Sequence, residues 1–298
     1  MPTIALSSGT IDYTDTDTDA GTAPVAAPGG PARETLVLVP GLAFDESVWQ
    51  PVVDRLRTDF RVLVPVLPIG GHRRPMNPGA DLSAHGVAAL LAEFLDRLDL
   101  REVTLVQNDA GIAQLLVGVR DERIARLVLT SCEALDNYPP GFQGKALHTA
   151  SRIPGALRLL LLSFRSPFLA GMRTSLGGMA KRPIPHELVL RWYGPLLGDP
   201  AIRRDLTAFL RGTRKDTYLR AAERLRTFDR PALVAWGAED LMMPPATGRR
   251  LAALLPRGEY VEIPDARTLI PFDNPEALCE ALRRFIAAHP APAARGTA

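Results

Sequence analysis

Hydrophobic positions along this chain fall into two kinds of run. Thr35–Val39, Arg61–Val66, Val103–Val106, Leu127–Leu129, Leu233–Trp236 and Tyr260–Ile263 are short, near-continuous apolar or β-branched stretches. Runs of that length predict strands buried on both faces. Between them the apolar residues recur with a helical period, at Val48–Leu56, Leu82–Leu98, Ile112–Val119, Thr247–Leu255 and Pro275–Ala287. Leu82–Leu98 is the clearest, with Val87, Leu90, Leu91 and Phe94 near one face and Asp81 as the expected cap. Strand and helix alternate at both ends of the chain, which predicts a mostly parallel sheet with helices on both faces. Ile4–Leu6 and Thr10–Tyr13 flank Ser7-Ser8-Gly9 and predict a short hairpin. Asp15–Arg33 has no periodicity and reads as a loop.

From Glu133 to Pro231 the alternation stops. Short helical runs are broken by Pro139, Pro140, Pro154, Pro167, Pro183, Pro185, Pro195 and Pro200. Because this stretch interrupts two buried strands, it is expected to be an inserted helical cap over the C-terminal edge of the sheet. The expected organisation is a core of residues 1–132 and 231–288, a cap of 133–230, and a Pro/Ala-rich tail, 289–298, that frays. Leu159–Leu162, Phe164, Phe168, Met172, Trp192 and Tyr193 either line a pocket beneath the cap or pack it onto the core.

Composition narrows the function classes. The chain is 46% hydrophobic and 23% charged, with a net charge of +2 and only three lysines, Lys145, Lys181 and Lys215. No basic block stands out, so no nucleic-acid partner is expected. Cys132 and Cys279 are too few for a disulfide framework or a metal cluster and sit in apolar segments as small core residues. No basic segment followed by an apolar run opens the chain, and Leu159–Phe164 is far too short to span a bilayer. The expectation is a soluble cytoplasmic protein with a small-molecule substrate, no metal, no cofactor and no membrane partner. Oligomeric state is not legible in the sequence.

The candidate chemistry lies at Leu105-Val106-Gln107-Asn108-Asp109-Ala110-Gly111, where a predicted strand turns into a predicted helix. A sharp strand–turn–helix with a reactive central side chain is a nucleophile elbow, usually G-x-S-x-G. Here the central residue is Asp109. The order of elements and this elbow together resemble the α/β-hydrolase family over roughly Ile4 to Ala288. Val39-Pro40-Gly41-Leu42 is similar to the family's oxyanion turn, with Pro40 in place of histidine. Trp236-Gly237-Ala238-Glu239-Asp240 resembles the segment supplying the acidic triad member. Ile263–Thr268, followed by Asp273-Asn274-Pro275, resembles the segment supplying the histidine, but Arg267-Thr268 stands where the family has Gly-His. Serine has thus become Asp109 and histidine Thr268, and only Asp240 matches. This combination is similar to a poorly characterised bacterial subgroup with N-D-x-G at the elbow.

The resemblance implies an elbow aspartate that attacks carbon, as in haloalkane dehalogenases and epoxide hydrolases, with backbone N–H groups of Leu42 and Ala110 as oxyanion donors. A helix N-terminus beside the elbow would keep Asp109 a stable anion. Hydrolysis of the resulting ester needs a base, which Thr268 is not at neutral pH. Asp109, Asp240 and Thr268 are therefore the candidate catalytic positions. Asn108, His72, Tyr138, Trp192 and Tyr193 are candidates for the pocket. Glu133 and Asp136 follow a predicted strand and are either acids near the site or solvated loop carboxylates. Three readings stay open. One is a hydrolase acting on a small or medium apolar substrate through Asp109. Another is an isomerase, lyase or cyclase using Asp109 as a base. The last is a ligand-binding protein with a dead site.

Overall fold

The structure is a computed structural model that describes residues 1–18 and 33–291. Most of the loop expected at 15–33 and most of the tail expected at 289–298 lie outside the described residues. Eight strands form one sheet in the order β1-β2-β4-β3-β5-β6-β7-β8. The hairpin is β1 (Thr3–Leu6) and β2 (Gly9–Asp15), and β2 continues antiparallel onto β4 (Arg61–Pro65). The rest is parallel: β3 (Thr35–Val39), β4, β5 (Val103–Asp109), β6 (Ile124–Cys132), β7 (Ala232–Gly237) and β8 (Gly258–Ile263). Every residue of β5, β6 and β7 is buried. Both faces of these strands are covered, which is why their sequences lack polar alternation.

The core helices are α1 (Gln50–Leu56), α2 (Ala84–Arg97), α9 (Pro245–Ala252), α10 (Ile270–Asp273) and α11 (Pro275–Ala288). α2 is capped by Ser83, whose Oγ accepts from Gly86 N at 3.2 Å, not by Asp81 as expected. Asp81 instead accepts from Ser83 N and braces the capping residue. Between β6 and β7 run six helices: α3 (Gly141–Ala150), α4 (Ala156–Ser163), α5 (Pro167–Gly171), α6 (His186–Gly198), α7 (Pro200–Gly212) and α8 (Lys215–Leu225). Prolines sit at or just before the first turn of α3, α5, α6 and α7, where the missing N–H costs nothing. No helix among the described residues is long and apolar enough to cross a membrane.

One expected helix does not form. Ile112–Val119 contains only a 3-10 turn, Ala113–Leu115, followed by loose turns. Its residues from Ile112 to Val117 are all buried, so it has no polar face to turn to water. Two glutamines hold this short turn: the Gln107 side chain accepts from Ala113 N, and Gln114 Nε2 donates to Glu133 O at 2.6 Å. Gly118, at φ +68, ends it.

Candidate active site

β5 carries Asp109 at its C-terminal end. A register shift against β6 falls between Asn108 and Asp109, so the strand breaks at that residue. Asp109 has φ +66, a left-handed conformation that costs a non-glycine residue roughly 1–2 kcal/mol and marks a constrained turn. The turn closes because two neighbours are glycines. A Cβ on Gly41 would overlap Asp109 Cβ and Oδ2, and one on Gly111 would overlap Gln114 Nε2 and Glu133 O. The approach of Gly41 lets Leu42 N donate to Asp109 Oδ2 at 2.9 Å.

The electrostatics of Asp109 differ from the sequence expectation. No α-helix begins at the elbow, so no helix N-terminus stabilises a carboxylate there. Asp109 is buried, and burial pushes its pKa up to about 7, with the Asp240 charge adding to the rise and the Leu42 hydrogen bond opposing it. Near neutral pH the group holds its proton loosely.

Asp240 and Thr268 are brought together. Thr268 Oγ1 donates to Asp240 Oδ1 at 2.8 Å, and the N–H groups of Met242 and Met243 donate to the same oxygen at 2.9 Å. Asp240 Oδ2 is buried with no hydrogen-bond partner among the described residues. Burial raises the Asp240 pKa, against the pull of these donors. Thr268 is fully buried, and its carbonyl accepts from Asn108 Nδ2 at 2.8 Å. Asn108 also donates to the Thr130 carbonyl and hydroxyl oxygens. Its amide thus ties three strand ends together and does not line the pocket expected of it.

A cavity of about 220 Å³ opens over Asp109. Leu42, Asp109, Glu133, Tyr193 and Met242 form part of its wall, and Phe142, Leu160, Phe164, Leu169, Met172 and Leu176 make the wall contributed between β6 and β7 mostly apolar. Of Asn108, His72, Tyr138, Trp192 and Tyr193, Tyr193 alone lines it, and of the apolar residues weighed for a pocket Leu160, Phe164 and Met172 line it too. His72 is buried elsewhere, with Nε2 3.3 Å from Asp205 Oδ2 and Nδ1 accepting from Gly70 N, so it braces a loop. Trp192 donates through Nε1 to Ser47 Oγ and packs edge-on against Phe44. Tyr138 packs against Tyr218 and His148. Ala110 is buried and does not line the cavity, and the Leu42 N–H is spent on Asp109. None of the five histidines lines the cavity.

Glu133 emerges as a second carboxyl of the site. Its backbone N–H donates to Asp109 O at 2.8 Å, and its Oε2 accepts from Tyr218 at 2.6 Å. Burial, reinforced by the Asp109 charge, lifts its pKa to about 8. Asp136, weighed equally in the sequence, is an exposed partner of Arg250. The usable signal was context: Glu133 follows the strand built on Leu127–Leu129 and precedes Ala134-Leu135, whereas Asp136 opens a polar turn. Tyr193 is also affected, since burial and the Asp109 charge hold its phenol above the usual range and keep it protonated.

Sequence and structure comparisons agree on ancestry. The profile of the alpha/beta hydrolase family matches residues 36–281. The uncharacterized hydrolase YugF of Bacillus subtilis is 24% identical over 260 residues, covering 86% of this chain and 91% of YugF. A putative non-heme bromoperoxidase, BpoC, of Mycobacterium tuberculosis is 36% identical over 93 residues, 31% of this chain and 33% of its own. Among solved structures, a putative ancestral haloalkane dehalogenase superposes with a TM-score of 0.73 at 19% identity, covering 97% of this chain and 99% of that one. An esterase from Thermogutta terrifontis gives 0.70 at 21% identity, covering 97% and 100%. At these identities the superpositions establish the fold.

Proposed function

The chain belongs to the alpha/beta hydrolase family, and from that premise we propose that it is an acid–base enzyme acting on a small apolar molecule through the Asp109 carboxyl. The reaction class is isomerisation, elimination or cyclisation without net hydrolysis. One observation carries this reading. The buried Asp109, with a pKa of about 7, faces an apolar cavity that no histidine lines. A carboxyl balanced near neutrality takes and returns a proton with little driving force in either direction, which is what general acid–base catalysis requires. Its Oδ2 is held by Leu42 N, and Oδ1 has no hydrogen-bond partner among the described residues. Oδ1 therefore takes the proton from a substrate carbon or hydroxyl. The neutral Tyr193 hydroxyl donates to the oxygen on which charge develops. The proton held by Asp109 is then returned at a second position. Glu133, with Tyr218 behind it, is the adjacent proton store.

Exchange of protons with solvent tests the proposal without a known substrate. In deuterated buffer, apolar cyclic ketones and enones are incubated with the protein, and deuterium incorporation is read by mass spectrometry. Wild type should incorporate label on at least one of them and Asp109→Asn should not. Equal incorporation by both proteins defeats the proposal. A second reading, direct attack by Asp109 on carbon, draws on the elbow geometry with its left-handed φ. Without a base the alkyl ester would accumulate, and intact-protein mass after exposure to epoxides or haloalkanes would show it.

A further inference from the structure

The segment from Asn137 to His186 contains seven Lys or Arg residues and not one Asp or Glu. It runs from α3 through α5, the helices that roof the cavity. Arg158, Arg165 and Arg173 are exposed and form no ion pair among the described residues. The acidic residues that neutralise arginines elsewhere in this chain are missing here. Large apolar side chains protrude between these arginines: Leu159 is 72% exposed and Phe168 77%, with Phe142, Leu169 and Met172 also exposed. Burying such groups is the strongest single drive in folding, so their exposure within one stretch of sequence is informative.

These features converge on the cavity mouth. Phe142, Leu169 and Met172 are both exposed at the surface and part of the cavity wall. Gln143 Nε2 donates to the carbonyls of Arg173 and Ser175, at 2.9 and 3.2 Å, and so fixes the start of α3 beside the Met172–Arg173 bend. The apolar rim is thus continuous with the apolar interior.

We infer that this cationic, apolar face of the cap docks on an anionic lipid surface and loads the cavity from it. Charge complementarity selects the occupant: unpaired arginines meet anionic headgroups, while Phe168 and Leu159 enter the headgroup–acyl boundary. An apolar substrate then passes from lipid to Asp109 without crossing water. The docking is independent of the acid–base reading, and Asp109→Asn binds vesicles like wild type.

The experiment is flotation of the full chain with vesicles of phosphatidylcholine alone or with about one third phosphatidylglycerol. Wild type should float with the anionic vesicles at low salt and be released as salt rises, because exposed charge pairs are screened. Each arginine is worth roughly a five-fold change in partitioning. The triple variant Arg158→Gln, Arg165→Gln, Arg173→Gln should therefore bind on the order of a hundred-fold more weakly. Phe168→Ser should weaken binding while leaving its salt dependence unchanged. All four positions are exposed, so unchanged thermal unfolding confirms that each variant is folded. Failure to float at low salt overturns the inference, as does triple-variant binding equal to wild type. So does self-association through this face, or docking on an acidic protein by a chain that ignores vesicles.

Discussion

Thr268, the position where the resemblance to the family implies a histidine, has an occupation of its own. Its hydroxyl satisfies one oxygen of Asp240, and its carbonyl anchors Asn108. The other Asp240 oxygen is buried and unpaired, an expensive state for a carboxyl unless it carries a proton. Thr268→His would place an imidazole beside Asp240, in place of the hydroxyl that now donates to Oδ1. Because Thr268 is fully buried, the larger ring should cost about 1–3 kcal/mol in urea unfolding by overpacking. If an Asp109 ester can be trapped, the same variant should hydrolyse it measurably faster than wild type. Unchanged ester lifetime in a folded variant would show that position 268 no longer addresses the elbow. Gly41 gives a second residue-scale prediction. A Cβ there has no space beside Asp109, so Gly41→Ala should displace the carboxyl, break the Leu42 hydrogen bond and destabilise the fold by at least about 1 kcal/mol. Retained deuterium-exchange activity in Gly41→Ala would mean that the Leu42 contact is dispensable.

At the scale of elements, the strands were the most legible part. β3, β5, β6 and β7 announce themselves because a strand covered on both faces carries a near-continuous apolar run, here Thr35–Val39, Val103–Val106, Leu127–Leu129 and Leu233–Trp236. α2 and α11 follow from a helical period. The tight left-handed turn at Asp109 was legible too, since it needs only the end of β5 and nearby glycines. The turn after it was misread because a fully buried helix and a fully buried irregular segment share the same apolar composition, and the side-chain bonds from Gln107 and Gln114 that decide between them are long-range facts. Of the residues weighed for the pocket, Leu160, Phe164, Met172 and Tyr193 line it, while His72, Tyr138 and Trp192 were not separated from core packing. A polar or aromatic residue in the right element faces either way with equal ease. Glu133 shows what pairing across elements adds: β6 delivers the carboxyl and α8 the Tyr218 hydroxyl that holds it. Tyr218→Phe should cost about 1–2 kcal/mol of stability, as a buried acceptor loses its donor. It should also raise the Glu133 pKa above about 8, because this hydrogen bond, together with the Gly111 N–H, opposes the rise caused by burial. Carboxyl infrared titration would read that shift, and no movement would exclude Tyr218 as the partner.

The whole molecule carries a net charge of +2, an average that conceals two opposite arrangements: a cap segment without acids and a cavity floor with two buried carboxyls. The second has a thermodynamic consequence. Asp109 and Glu133 have folded pKa values of about 7 and about 8, well above the unfolded values of about 4. Between roughly pH 4 and pH 8 the native state therefore binds more protons than the unfolded chain, and stability falls as pH rises through this window. Full stability from these groups is present below pH 4 and lost once both ionise. Other groups act in the opposite sense. Asp205 and Glu93 have lowered pKa values and supply stability that is lost in acid, and burial lowers His148, which disfavours the folded state as that ring protonates. The optimum should thus lie on the acid side of neutrality, with a decline that is complete once both groups ionise above about pH 8. Asp109→Asn keeps an acceptor for Leu42 N and tolerates the left-handed φ, and Glu133→Gln keeps an acceptor for Tyr218. Neither can ionise. The double variant should flatten the alkaline decline and be more stable than wild type at pH 9 by a few kcal/mol, with the difference closing below pH 5. Chemical denaturation of both proteins across that range measures it. Parallel profiles would mean that Asp109 and Glu133 do not hold protons at neutral pH, and the acid–base reading of the site would fall with them.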